Sequence, residues 1–188
     1  MCFSVNDKFI SNLASCLNVY CVERRFYVVS GMLASAYDRS AGGLSSLSRR
    51  HNNFWNLEFD SRWAAEKVRN RGVDFAKYET FEAGVLGYSL YLSCEYPDLR
   101  GCTSVRQFLR TVEPNKAEDL IYLIIQNKWG AFDPDIIRPE SLDYEQIIED
   151  IIAGKYGRGL ECRQRVTAMG YSSRKIAAML KWRLTHGK

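Results

Sequence analysis

The chain has 188 residues, of which 46% are hydrophobic and 26% charged, and its formal net charge is +4. These values are typical of one globular domain, or of a modest domain with a small companion. The weak positive charge favours an anionic surface such as nucleic acid or a bacterial wall without choosing between them. No stretch approaches the roughly 20 apolar residues that a membrane span requires, so we expect no membrane insertion.

The N-terminus carries Asn6, Asp7 and Lys8 where a signal peptide would have its apolar core. We therefore expect synthesis in the reducing cytoplasm without a signal peptide. The six cysteines form no C-x-x-C pair, and the two histidines are His51 and His186. We expect mostly free, buried thiols, no metal site and no cofactor.

Apolar spacing predicts a mainly helical first domain over residues 1–132. Phe26, Val29, Leu33 and Tyr37 recur at steps of three and four residues and define one buried helix face. A loop is predicted over 39–51. The short aromatic segment 54–59 suits one strand of a small hairpin, and the segment that begins at residue 73 suits the other.

Three further helices are predicted in this domain. The first begins at Thr80, the second follows Thr103 or Ser104, and the third spans "KAEDLIYLIIQNKW", with Asn115 as its cap. A linker then follows over 133–142, where glycine and proline interrupt the pattern.

Residues 143–188 are predicted to form a three-helix bundle, near the lower size limit for independent folding. Asp143 caps the first helix, which carries Ile147, Ile148 and Ile151. The second helix runs roughly over 160–168 and ends at Gly170, a natural C-cap. Ser172 begins the third.

The stretch "IIEDIIAGKYGRGLECRQRVTAMGY" resembles the CW-seven cell-wall-binding repeat of phage lysins. The matching positions are Ile152, Ala153, Gly154, Lys155, Tyr156, Gly157, Gly159, Glu161, Arg165, Ala168, Gly170 and Tyr171. Departures are Tyr156 for the usual Trp, Arg158 for Asn and Met169 for Ala. The resemblance implies binding of the sugar–peptide unit of peptidoglycan through Gly154, Lys155, Tyr156, Gly157, Arg165 and Tyr171. The alternative is that the glycines only shape a turn and Tyr156 belongs to the core.

The stretches "LASAYDRS" (33–40), "HNNFWNLEF" (51–59) and "FAKYETFEAGVLGYSLYLS" resemble, in this order, the glucosaminidase domain of glycoside hydrolase family 73. The resemblance spans roughly 8–128. It implies a lysozyme-like helical fold and an aromatic groove that binds the glycan strand. The groove residues that it implies are Tyr37, Phe54 and Trp55, with Asn53 bonding backbone or substrate near the floor.

The family's general acid is the glutamate of Leu-Glu-Ser, and Ala34 holds its place. A methyl group cannot protonate a glycosidic oxygen. Either an active enzyme had its acid deliberately replaced, or the chain is a natural pseudoenzyme that binds glycan without cutting it. A third possibility is that Asp38 or Glu58 is the acid.

Two further residues are assigned catalytic roles. Glu58 is a candidate second carboxylate, or else a solvated glutamate at a strand end. Tyr78 either stabilises a developing charge and positions the sugar, or is a packing tyrosine.

The sequence thus predicts a mainly α chain: a lysozyme-like domain with a small β-hairpin, followed by a three-helix unit. The predicted function is that of an endolysin-type peptidoglycan hydrolase, a glucosaminidase or muramidase of phage or bacterial type. Its partners would be peptidoglycan glycan strands and muropeptide rather than nucleic acid, and it would act on the bacterial wall after release. The alternative is a catalytically inactive glycan-binding protein of the same fold.

Overall fold

The computed structural model of the protein describes residues 7–137, 144–168 and 171–186. The chain divides into two units, residues 1–140 and 141–188. The described residues are mainly helical, and their only sheet has two antiparallel strands. The predicted fold class, mainly α with a small hairpin, is therefore confirmed.

The first unit contains six α-helices and two strands within its described residues. The helices are α1 Asp7–Tyr20, α2 Val29–Arg39, α3 Ser46–His51, α4 Phe81–Glu95, α5 Val105–Val112 and α6 Ala117–Asn127, and the strands are β1 Glu66–Asn70 and β2 Val73–Lys77. Short 3₁₀ turns lie at Val22–Arg24, Pro97–Leu99 and Trp129–Phe132.

Side-chain caps explain where three of these helices begin. Thr80 accepts a hydrogen bond from the backbone N–H of Ala83, and Ser104 accepts one from Gln107. Both satisfy a backbone donor that the first turn leaves unpaired, so the two predicted starts are confirmed. Ser45 caps α3 in the same way. The predicted loop over 39–51 is therefore wrong for its second half, because a serine cap nucleates a helix there.

Helix α2 is the central helix of the first unit and packs against α1, α5 and α6. Its residues from Val29 to Ala36 are all buried, so it has no solvent-facing side over this length. The single buried face predicted for this segment is too narrow, because neighbouring helices surround α2. Gly31 permits one close approach, since a Cβ there would lie 3.0 Å from the Phe108 ring.

The hairpin differs from the predicted one in its first strand. β1 and β2 pair with Glu66 opposite Lys77 and Asn70 opposite Val73, joined by the two-residue turn Arg71–Gly72. Both turn residues have positive φ, 49° and 86°, as a tight hairpin turn of matching twist requires. The segment 54–59 contributes only an isolated bridge between Glu58 and Phe75, so its prediction as a full strand is wrong.

The second unit contains α7 Tyr144–Ile152, α8 Gly159–Ala168 and α9 Ser173–His186. These bounds confirm the three predicted helices. Their core comprises Ile147, Ile148, Val166, Tyr171 and Ile176. The Ser172 hydroxyl accepts from the Lys175 N–H at the start of α9. The predicted caps Asp143 and Gly170 lie outside the described residues.

The segment predicted as a linker is partly bound to the first unit. Both carboxylate oxygens of Asp133 accept hydrogen bonds from Ser30, one from its N–H and one from its hydroxyl, each at 2.6 Å. Ile137 is buried in the first unit's core. Residues 133–137 therefore belong to that unit, which shortens the linker. Residues 138–142 lie outside the described part.

The cysteines of the described chain, Cys16, Cys21, Cys94, Cys102 and Cys162, are free thiols. Only Cys21 and Cys102 are buried, and burial raises the pKa of Cys21 to about 12. Over the same residues, no cluster of His, Cys, Asp or Glu has the size and spacing to hold a metal ion. None of the described helices is both long enough and apolar enough to cross a bilayer.

Candidate functional site

The position matched to the general acid lies inside the central helix. Ala34 is 0% exposed, and its neighbours in α2 are buried as well. A side chain enclosed on this scale gives substrate no access to the Cβ atom. The structure therefore disagrees with the expectation that position 34 opens onto a groove.

The predicted aromatic groove is largely an aromatic core. Phe54 and Trp55 are 2% and 1% exposed. The Trp55 ring stacks on Tyr88 with 3.8 Å between centroids and 1° between planes, and its Nε1–H donates to the Met32 carbonyl. Tyr37 is half-buried and meets Trp129 edge-on at 5.4 Å. The prediction that Phe54 and Trp55 line a groove is therefore wrong, and of the three residues only Tyr37 reaches the surface.

Asn53 uses its amide entirely on the backbone. Its Nδ2 donates to the carbonyls of Leu57 and Ala76, both at 2.9 Å, and its Oδ1 accepts from the Leu57 N–H at 2.8 Å. Of the two partners predicted for Asn53, the structure shows the backbone. The residue ties the loop after α3 to β2 and so fixes where Glu58 emerges.

A buried carboxylate that the sequence did not reveal lies beside the matched motif. Glu113, the residue after α5, accepts a hydrogen bond from the Ser35 hydroxyl at 2.6 Å. Arg39 donates to both of its oxygens, from Nε at 2.5 Å and from Nη2 at 2.9 Å. The Glu113 side chain is 9% exposed and that of Arg39 40%.

This pairing decides what Glu113 can do chemically. Bidentate Arg–carboxylate contacts are among the strongest charge-assisted hydrogen bonds. The bond to Glu113 raises the pKa of the Arg39 guanidinium above its ordinary value. The carboxylate of Glu113 accepts hydrogen bonds from three donors, so in this structure its side chain links the end of α5 to α2. No local signal marks Glu113, because its partners lie 74 and 78 residues away in the chain.

Two other carboxylates belong to the matched motifs. Asp38 is bound by Lys116, with 2.6 Å between Oδ2 and Nζ. Glu58 is exposed, and its carboxylate has no ion pair with any described residue. Its backbone is fixed by the bridge to Phe75 and by the Trp63 indole N–H, which donates to the Glu58 carbonyl at 3.0 Å. Glu58 is therefore a solvent-facing carboxylate on a well-anchored loop.

Tyr78 is placed as a packing tyrosine. Its hydroxyl is buried without a hydrogen-bond partner among the described residues, and burial raises its pKa well above the ordinary value. A Cβ on Gly87 would lie 2.4 Å from that hydroxyl, so only glycine fits there. In this arrangement Tyr78 does not face solvent, which favours the packing alternative over a role beside substrate.

In the second unit, two of the predicted wall-binding residues converge on Asp150. Lys155 Nζ lies 2.6 Å from one carboxylate oxygen, and the Tyr156 hydroxyl lies 3.4 Å from the other. Gly154 and Gly157 both have positive φ, 78° and 77°, and so form the left-handed turn that follows α7.

The other two predicted wall-binding residues lie elsewhere. Arg165 is exposed and pairs with Glu161 at 2.7 Å within α8. Tyr171 is buried in the core of the unit. The prediction that it contacts a ligand at the surface is therefore wrong. The six residues thus do not form one surface: four share the turn after α7, one lies on α8 and one is in the core.

No protein-family model and no curated protein matches the chain. A solved structure does: the catalytic domain of the autolysin Auto from Listeria monocytogenes. The two share 18% identity with a TM-score of 0.56, over 71% of this chain and 90% of that domain. At this identity the likeness concerns the fold. Over 71% of its length, the chain thus has a fold similar to that of this autolysin catalytic domain.

Proposed function

We infer that the protein is a peptidoglycan hydrolase whose first unit acts on the glycan strand. The observation that carries this proposal is the fold likeness, which extends over 90% of an autolysin catalytic domain. The three motifs that resemble family 73 support it, because they occur in the family's order. Cleavage after N-acetylglucosamine is the specificity that this resemblance favours.

Glu58 is the proposed general acid. Hydrolysis of a glycosidic bond requires a carboxylic acid that protonates the leaving oxygen. Ala34 has no carboxylate, Glu113 is occupied by Arg39 and Ser35, and Asp38 is bound by Lys116. Glu58 is exposed, and Asn53 and Trp63 anchor its loop. Glu58 is therefore the carboxylate of the second matched motif that is open to solvent and has no ion pair with a described residue.

The second unit is proposed to hold the enzyme on the wall through the turn after α7. Lys155 and Tyr156, oriented by the buried Asp150, present a cation and an aromatic ring beside two glycines. A second weak site on the same chain raises the effective concentration of the first at the wall.

A second candidate function is glycan binding without cleavage. Two observations favour it: the buried methyl group at position 34, and the ion pair that occupies Glu113. A domain of hydrolase fold without a proton donor retains shape and contacts but loses general-acid assistance, which is typically worth about 10²–10⁴-fold in rate.

One experiment separates the two candidates. Purified peptidoglycan sacculi are incubated with the full chain, and reducing ends released and protein co-sedimented are both measured. The variants are Glu58→Gln and Ala34→Glu, and Glu79→Gln, another exposed carboxylate, is the matched control. Thermal unfolding of each variant establishes that it is folded.

The outcomes are distinct. Cleavage by the wild type that Glu58→Gln abolishes and Glu79→Gln leaves unchanged supports the hydrolase with Glu58 as acid. Cleavage that appears only with Ala34→Glu assigns the acid to position 34 and overturns the role of Glu58. Co-sedimentation without cleavage by any variant supports the glycan-binding protein. A chain that neither cleaves nor co-sediments overturns both candidates.

A further inference from the structure

The second unit contains a cavity of about 550 Å³ beside the turn after α7, and the arginines that line it have no role in the function proposed above. Residues from the starts of α8 and α9 line it, together with the end of α7. Its floor is apolar and comprises Ile151, Val166, Ile176, Ala177 and Leu180. Arg158, Arg163 and Arg174 also line it.

These three arginines have no acidic partner within the described residues. Among the other described cations of this unit, Lys155 pairs with Asp150, Arg165 with Glu161 and Arg183 with Glu149. Glu161 lies close to the cavity, since a Cβ on Gly157 would be 2.5 Å from its Oε2, but Arg165 already binds its other oxygen. The cavity therefore carries three positive charges that no acidic residue of the described part neutralises.

Arg158, Arg163 and Arg174 are exposed to solvent, so their guanidinium groups are accessible to a ligand. A ligand that brings several negative charges would match them. Guanidinium forks match phosphate oxygens in bidentate geometry. A polymer with one phosphodiester per unit supplies a charge for each arginine, whereas a single carboxylate would leave two arginines unmatched.

We propose that this cavity binds a polyol-phosphate polymer of the bacterial wall. The arginines contact successive phosphates, and the carbon chain between the phosphates lies over the apolar floor. This inference rests on the proposed wall-directed function and adds a second wall ligand. The site adjoins the turn of Lys155 and Tyr156, since Gly157 of that turn also lines the cavity.

Nucleic acid is also a phosphodiester polymer, but the cavity does not favour it. Sites for single-stranded nucleic acid combine cations with aromatic rings on which bases stack. No aromatic residue is among the described residues that line this cavity. A polymer without bases fits a floor of aliphatic side chains better.

The test uses the full chain and titration calorimetry with poly(glycerol phosphate) as the probe. The variants are Arg163→Gln and Arg174→Gln. Arg183→Gln is the matched control, because it removes the same charge from the same unit at a residue that pairs with Glu149 and does not line the cavity. We expect each cavity variant to weaken binding about tenfold, the effect of one charge-assisted contact, and the control to change it less than twofold. Thermal unfolding confirms that the variants are folded.

Three results would overturn the proposal: no binding of the polymer, equal weakening by Arg183→Gln, or equal affinity for a DNA oligonucleotide of the same charge. A second measurement compares co-sedimentation with walls before and after chemical removal of their phosphate polymer. The fraction of protein that co-sediments should fall when the polymer is removed. Cleavage of the stripped walls is measured in parallel. If cleavage persists while polymer binding fails, only the cavity inference is wrong; if polymer binding holds without cleavage, only the hydrolase proposal is wrong.

Discussion

Arg39 holds Glu113 at both carboxylate oxygens, with N–O distances of 2.5 and 2.9 Å. The ion pair joins the last turn of α2 to the residue that ends α5, and the Ser35 hydroxyl adds a third hydrogen bond. Ser35 follows Ala34 directly. A carboxylate is therefore present beside the motif that resembles family 73, but it is bound as an acceptor that fastens two helices together.

The first prediction concerns this ion pair. Glu113→Gln removes the charge and one of the bidentate contacts, and we expect it to lower the free energy of unfolding by about 1–3 kcal/mol. The value should lie toward the lower end, because Arg39 is partly exposed and water replaces part of the contact. Urea unfolding at pH 7 measures it.

Asp38→Asn is the control for this prediction, since Asp38 forms an ion pair with Lys116 at the surface of the same unit. Exposed pairs contribute at most about 1 kcal/mol. Equal losses for the two variants would mean that the bidentate geometry and the burial of Glu113 add nothing to stability.

The helix starts were predictable because caps are local chemistry. Thr80 and Ser104 each bond a backbone N–H three residues later, so a few adjacent residues contain the whole signal. Asn115 was a wrong prediction of the same kind: α6 begins at Ala117 and Lys116 precedes it. No side chain caps the start of α6, so the cap signal at Asn115 was misleading.

The candidate site was less predictable, because its arrangement depends on contacts distant in the chain. The sequence of a motif does not show whether an aromatic residue lines a groove or fills a core. Trp55 is in the core because Tyr88, on α4, supplies the face on which it stacks. Glu113 was missed for a related reason, since only the packing of α5 against α2 brings it to Arg39.

The second prediction uses the Trp55–Tyr88 stack. The Tyr88 hydroxyl is buried with no hydrogen-bond partner among the described residues, and burial raises its pKa well above the ordinary value. Tyr88→Phe keeps the ring and removes the unsatisfied group. We expect it to raise the free energy of unfolding by about 1 kcal/mol.

Tyr91→Phe is the matched control, because Tyr91 is only partly buried and its hydroxyl is not among the buried groups without a partner. Its substitution should change the free energy of unfolding by less than about 0.5 kcal/mol. The gain in stability is thus expected for Tyr88→Phe and not for Tyr91→Phe. A loss of stability on Tyr88→Phe would show that the hydroxyl has a partner, such as a buried water.

The third prediction concerns the contact between α4 and the segment after α3. A Cβ on Gly84 would lie 2.0 Å from the Asn52 carbonyl oxygen, which is a backbone atom and cannot rotate away. Gly84→Ala must therefore displace one of the two segments. We expect a net loss of about 1–3 kcal/mol, although alanine favours a helix by about 1 kcal/mol over glycine.

Gly130→Ala serves as the comparison, since nothing lies within 4 Å of a Cβ at that position. Its stability should change by less than about 1 kcal/mol. Thermal unfolding of both variants decides the matter. If Gly84→Ala is as stable as Gly130→Ala, α4 does not approach Asn52 as closely as the structure has it.

The last prediction is a pH dependence at Asp133. Burial raises the pKa of this carboxyl above its ordinary value of 3.8, and this outweighs the hydrogen bonds from Ser30 and the Val29 backbone, which lower it. In the window between the unfolded and folded pKa values the native state binds more protons than the unfolded chain. The contribution of Asp133 to stability is thus fully present below pH 3.8 and is lost as the pH rises through the folded pKa.

Asp133→Asn cannot titrate, so the free energy of unfolding of the wild type should decline relative to that of the variant as the pH rises from 3 to 7. Urea unfolding of both proteins across this range measures the difference. A difference that grows in favour of the wild type would mean that the Ser30 donors outweigh burial and lower the pKa.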